Sequence, residues 1–240
     1  MEIFKTINPT LYIILLSVAL VSAVAFVVFS KGQRGLLSLS LKSVASFCFT
    51  LLAVGICLIK GMSVAGLLFV MGFVAAVIGD VILALPAMPE MKPKGMLLTL
   101  IGGLSFTVTH ICYTAAIIVL CGFKWWIILI AIALGLIFLF GNNLLGKLNY
   151  GPLKAGMPVY STFVSFDLAV SIMALISGVN IVGAILLVVG LFLFWLSDIV
   201  LMHIYFGVDN QQKHEFIYYF NLSFYYLGQI LIAASMIFLI

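Results

Sequence analysis

Apolar residues run in long, nearly unbroken stretches along this chain, with short polar breaks between them. FVAAVIGDVILAL (73–85) and LFLFWLSDIVL (191–201) are examples, and each holds one aspartate, Asp80 and Asp198. A helix needs about 20 mostly apolar residues to cross hydrocarbon. On that ruler the pattern predicts eight helices, near 10–29, 36–58, 63–85, 97–120, 124–141, 155–176, 180–205 and 216–240. The expected fold is all-α: a polytopic membrane protein of eight transmembrane helices, forming a single transmembrane helical domain over 1–240. The first apolar segment is long enough to span and lacks a small-residue cleavage site, so it reads as a helix rather than a signal peptide.

Composition strengthens this picture. Of 240 residues, 65% are hydrophobic and only 8% charged, against about a quarter charged in a typical soluble domain. The net charge of +4 sits in short loops and forms no basic face, so no nucleic-acid partner is expected. The loops holding Lys31, Arg34, Lys92, Lys94, Lys147, Lys154 and Lys213 fall on one side of an eight-span bundle; Lys5, Lys60 and Lys124 fall on the other. The positive-inside rule makes the first side cytoplasmic and both termini non-cytoplasmic. The expected location is an integral, multi-pass position in a lipid bilayer, the cell membrane if the source is bacterial. Cys48, Cys57, Cys112 and Cys121 form no CxxC pair and lie in or at the ends of apolar helices. They read as soft packing residues, and no metal site is expected.

An internal repeat is visible. Asp80 and Asp198 lie 118 positions apart, in GDVIL (79–83) and SDIVL (197–201), and LSF recurs at 104–106 and 222–224 with the same offset. Helices 3 and 4 then correspond to helices 7 and 8. An even number of helices separates the copies, so the candidate arrangement is a four-plus-four parallel repeat about an axis along the membrane normal. Asp80 and Asp198 would occupy equivalent places and face one central cavity.

Depth points the same way. Each aspartate lies five to seven residues before the cytoplasmic end of its helix, or roughly 8–11 Å inside that boundary. Lys42 enters helix 2 from that side to a similar depth. Tyr160 is near the start of helix 6, and Asn142 closes the cytoplasmic end of helix 5. His110, Tyr113, Asp167 and Gln229 lie nearer mid-membrane. In THICY (109–113), His110 and Tyr113 share a helical face. Gln229 follows Tyr225 and Tyr226 in YYLGQ (225–229). His203, near the end of helix 7, reads as an interfacial histidine.

An ionisable group near the centre of a span costs about 2.5–3.5 kcal/mol to insert on the translocon scale, and an interhelical hydrogen bond returns about 0.6 kcal/mol on average. Packing alone is therefore a poor reason for Asp80 and Asp198. Two functions suit them: proton transfer in catalysis, or a relay in a proton-coupled or lipid transporter. The helices that carry them have no internal proline, which counts against the broken helices typical of transporter sites.

VIGDVIL (77–83), GGLSFTVTHICY (102–113), LFWLSDIVL (193–201) and YYLGQILIA (225–233) resemble, in order and spacing, the recurring blocks of the YhhN-type lysoplasmalogenase family. Lys42 and the Tyr160 of PVY (158–160) match as well, and the similarity covers about 36 to 235. Asp167 departs from it, standing where that family pattern has an apolar residue. The resemblance implies an eight-helix hydrolase that cleaves the vinyl-ether bond of lysoplasmalogens, releasing a fatty aldehyde and a glycerophospho-alcohol. Its substrate partner is a lysophospholipid, and it uses neither cofactor nor metal.

The chemistry suits the residues. A vinyl ether resists base and yields to acid, because protonation of its β-carbon gives an oxocarbenium ion that water captures. That needs a proton donor and a nearby anion. Two carboxylates in a dry site supply both, as they do in glycosidases. Asp80 and Asp198 are the candidate catalytic pair, with either as the acid. Lys42 binds the substrate phosphate or tunes a carboxylate. His110, Tyr113, Tyr160, Tyr225 and Gln229 complete the substrate pocket, and Asn142 contacts the headgroup. Their gathering in the inner half of the bundle predicts lysolipid access from the cytoplasmic leaflet.

Overall fold

The structure, a computed structural model, describes residues 9–29, 36–208 and 214–240. The sidedness expected from charge rests partly on Lys5, Lys31, Arg34 and Lys213, which lie outside the described residues. Eight α-helices occupy the described chain: α1 (Pro9–Phe29), α2 (Leu36–Lys60), α3 (Val64–Ala84), α4 (Gly95–Cys121), α5 (Ile127–Leu145), α6 (Gly156–Ile176), α7 (Ile181–Phe206) and α8 (His214–Leu239). Six of them, α2, α3, α4, α6, α7 and α8, are long and apolar enough to cross a membrane, which makes this the fold of a multi-pass helical membrane protein. The apolar stretches within α1 and α5 are shorter, Leu16–Phe29 and Ile127–Asn142.

Local chemistry sets the helix ends. Ser63 caps α3, its Oγ accepting from the Gly66 N–H at 3.1 Å. Asn180 caps α7 by accepting from Val182 and Gly183. These side chains satisfy amide groups that have no partner inside the helix. Pro158 falls in the first turn of α6, where a missing N–H costs nothing. At the other end of the bundle, Leu148 and Gly207 form an antiparallel bridge that ties the α5–α6 connection to the end of α7.

The helices pack as neighbours in chain order: α1 on α2, α2 on α3, α3 on α4, α5 on α6, α6 on α7 and α7 on α8. Three further seams join the halves, α4 with α6, α2 with α8 and α1 with α8. Large apolar side chains on the outer faces, such as Val21, Val64, Ile137 and Phe140, stay exposed, as a hydrocarbon surround requires. The core contains Phe49, Phe69, Phe73, Phe106, Tyr113, Phe194 and Tyr226.

Two glycines lie at close approaches between helices. A Cβ at Gly72 of α3 would stand 2.5 Å from the Tyr113 ring of α4. At Gly190 of α7 it would stand 2.9 Å from the Gly228 carbonyl and 3.0 Å from the Ile232 amide nitrogen of α8. Gly72 and Gly190 are also 118 positions apart. Small residues let backbones touch, and that contact is a main source of helix association in lipid. Gly190→Val should force α7 and α8 apart, costing about 1–3 kcal/mol. Thermal unfolding in detergent would measure it; an unchanged midpoint would mean that the helices separate freely.

Candidate functional site

Asp80, near the end of α3, is 2% exposed and held by three partners. Lys42 of α2 places Nζ 3.0 Å from Oδ1. Tyr225 of α8 donates to Oδ2 at 2.6 Å, and Ser46 of α2 donates to the same oxygen. Lys42 and Ser46 lie four residues apart, which places them on one face of α2. Tyr226 stacks edge-on with Tyr225 and donates to the Lys42 carbonyl at 3.5 Å. Lys42 is thus engaged with a carboxylate. Of its two expected roles, the tuning of a carboxylate is the one with a contact.

Asp198 of α7 belongs to a second cluster. Tyr160 of α6 donates to its Oδ2 at 3.0 Å. His110 of α4 places Nε2 3.3 Å from that oxygen, and Nε2 is buried with no hydrogen bond formed among the described residues. On its far side, His110 Nδ1 lies 2.6 Å from Oδ2 of Asp167. His110, Asp167 and Asp198 are each at most 2% exposed. The neighbouring Ser197 is fixed by Asn221 of α8, whose amide donates to the Ser197 carbonyl and Oγ at 2.7 and 2.9 Å.

Asp80 and Asp198 therefore sit in separate networks. Among the described residues no hydrogen bond or ion pair joins them. Aromatic rings fill the ground between: Phe106 packs on Phe194 and Tyr225, Phe194 on Tyr225, and Phe194 on the His110 ring at 4.8 Å between centroids. A Cβ at Gly79, beside Asp80, would meet the Phe106 ring at 2.8 Å, so that glycine admits the aromatic wall.

The other expected residues divide. Tyr113 donates to Gln229 Oε1 at 2.8 Å, and Gln229 Nε2 is buried with no partner. Asn142 is buried too, but its amide donates to Phe138 of its own helix, and no hydrogen bond links it to either cluster. His203 is part-buried with Nε2 unpartnered, its ring alongside Gly146. It is more enclosed than the interfacial histidine expected from the sequence.

The two clusters differ in charge balance. Lys42 and Asp80 cancel, and two neutral hydroxyls satisfy the carboxylate further. The second cluster sets two carboxyl groups against one imidazole, with Tyr160 and the Leu168 backbone N–H as further partners among the described residues. A buried unpaired charge is costly. The first cluster sets its carboxyl group against a cation, and the second has two for a single imidazole.

The fold and this buried polar interior are those of a multi-pass helical membrane protein. The chain belongs to the YhhN family, whose family model matches residues 37–236. No curated protein and no solved structure matches it.

Proposed function

We propose that this protein hydrolyses the vinyl-ether bond of lysoplasmalogens, giving a fatty aldehyde and glycerophosphoethanolamine or glycerophosphocholine. The observation that carries this is the unequal charge balance of the two clusters. Acid-driven cleavage of a vinyl ether needs one group that gives a proton and another that stays negative near the cation it creates. Asp198, in the cluster with surplus acid, is the donor to the β-carbon. Asp80, ion-paired with Lys42, is the carboxylate that stabilises the oxocarbenium ion and orients water. Water adds to the former vinyl carbon bearing the ether oxygen and loses a proton to the site. The hemiacetal then breaks its bond to the glycerol oxygen, which leaves as alcohol. One water is consumed, and the proton first given is returned.

The bundle around that site is read as eight spans in a four-plus-four parallel arrangement. Support comes from the neighbour pattern, in which α1–α2, α2–α3, α3–α4 and α2–α8 reappear as α5–α6, α6–α7, α7–α8 and α6–α4. The equal offsets of Asp80 with Asp198 and of Gly72 with Gly190 support it as well. In this reading both termini are non-cytoplasmic and the polar clusters lie nearer the cytoplasmic face, as the distribution of basic residues favours. Lysolipid would reach the site from that leaflet.

Purified protein in detergent, given an alkenyl lysophospholipid with either headgroup, is expected to release free aldehyde. No aldehyde from folded protein with either headgroup would exclude this activity. The linked groups His110, Asp167 and Asp198 also suit a proton relay, which favours the transporter as second reading. A transporter would leave the lipid chemically intact and would act only across a sealed vesicle with a gradient.

A further inference from the structure

Asp167 has no place in the mechanism above. Yet it makes the shortest contact to His110, 2.6 Å from Oδ2 to Nδ1. It is 1% exposed in the middle of α6. A carboxylate at that depth costs about 2.5–3.5 kcal/mol to insert, more than an average interhelical hydrogen bond returns. The geometry beyond His110 gives it a use. A carboxylate accepting from Nδ1–H fixes which ring nitrogen carries the proton and which way the ring points. The other nitrogen, Nε2, then faces Asp198 at 3.3 Å with its hydrogen-bonding capacity unspent.

We propose that Asp167 is a positioning residue that holds His110 protonated at Nδ1 and aims Nε2 at Asp198, so that the three groups form a proton store which reloads Asp198 after each transfer. The identity of the final proton acceptor rests on the vinyl-ether reading; the Asp167–His110 arrangement does not. The accounting closes within the cluster. Asp198 gives its proton to the substrate β-carbon and becomes a carboxylate, and the imidazolium of His110 passes its Nε2 proton to that carboxylate. The proton released when water adds to the oxocarbenium ion then returns to Nε2. Asp167 keeps Nδ1–H throughout and gains or loses nothing.

The surroundings leave few other groups to take these roles. The titratable groups facing the imidazole are Asp167 and Tyr160 from α6 and Asp198 from α7. Phe194 of α7 covers one ring face, and Asp80 of the adjacent α3 is turned to Lys42. On α4 itself, Tyr113 donates to Gln229.

The test is nitrogen-15 NMR of full-length protein labelled at histidine, in detergent micelles. The chain has three histidines, and His110→Gln assigns the signal. The expected result is a His110 ring with a strongly hydrogen-bonded Nδ1 proton that persists across the accessible pH range. Asp167→Asn, which leaves only a neutral acceptor, should weaken it markedly, and Asp167→Glu should retain it. With aldehyde release as readout, Asp167→Asn should lower kcat on the order of 10–100-fold, as loss of an imidazole's orienting partner does, and leave KM within about twofold. A wild-type His110 that titrates as an ordinary solvent-exposed imidazole, or carries its proton only on Nε2, would overturn the proposal, even if neither variant folds. So would an Asp167→Asn spectrum or kcat equal to wild type. The NMR result expected here from a protein that releases no aldehyde would uphold the positioning role while removing the vinyl-ether reading.

Discussion

Asp198→Asn is expected to reduce aldehyde release by a factor on the order of 10²–10⁴, the usual contribution of a positioned general acid. That corresponds to about 2.7–5.4 kcal/mol of barrier. Asparagine has the shape of aspartate, so Tyr160 keeps an acceptor and His110 keeps Asp167. The fold should therefore persist, and the loss should fall on kcat. Initial rates of aldehyde release beside a thermal melt in the same detergent separate the two effects. Full activity in a folded Asp198→Asn protein, with Asp80→Asn inactive, would reverse the assignment of acid and anion.

Lys42→Met is expected to be the most damaging single change to stability. It removes the only cation bound to Asp80 among the described residues and leaves a carboxylate with two neutral donors, Ser46 and Tyr225. Breaking a buried pair this way costs about 3–5 kcal/mol. The double variant Lys42→Met, Asp80→Asn removes both charges and should recover most of that stability while remaining inactive. Unfolding of the two proteins, read against wild type, checks the coupling. Equal stability of single and double variants would mean that the pair is dispensable to the fold. Activity in the stable double variant would mean that Asp80 is not the anion the chemistry uses.

The helices were legible because burial in hydrocarbon demands apolar length, and the chain supplies it. All eight expected segments fall within a few residues of α1 to α8. Depth was legible too, since rise per residue converts sequence position into distance along the axis. That is why Lys42 could be placed level with Asp80, and Tyr160 level with Asp198. Facing was not legible. Helices that are apolar nearly all round have no polar side to betray which neighbour they meet. So the contact of α4 with α6 that brings Asp167 to His110 left no mark in the pattern, and Asp167 stood without a partner. Ser46 was within reach of sequence reasoning, one turn beyond Lys42. The separation of the two aspartates by Phe106 and Phe194 was not, because nothing in a count of phenylalanines tells a lipid-facing ring from an interior wall.

The glycine contacts bear on how the molecule can move. Gly72 and Gly190 bring α3 onto α4 and α7 onto α8 with no side chain of their own between, so neither pair can slide or roll without collision. Each pair behaves as a rigid plank. On the proposed reading, an opening that admits a lipid falls where the planks meet other helices, and α2–α8 and α4–α6 are two such seams. Those are the lines that Tyr225 and the His110–Asp167 contact bridge. Parting the first line stretches the Tyr225 bond to Asp80, and parting the second stretches the His110 bond to Asp167. If the proposed chemistry holds, the polar groups that serve it are also the clasps of the door, and a mouth held ajar would leave the site without one of its settings.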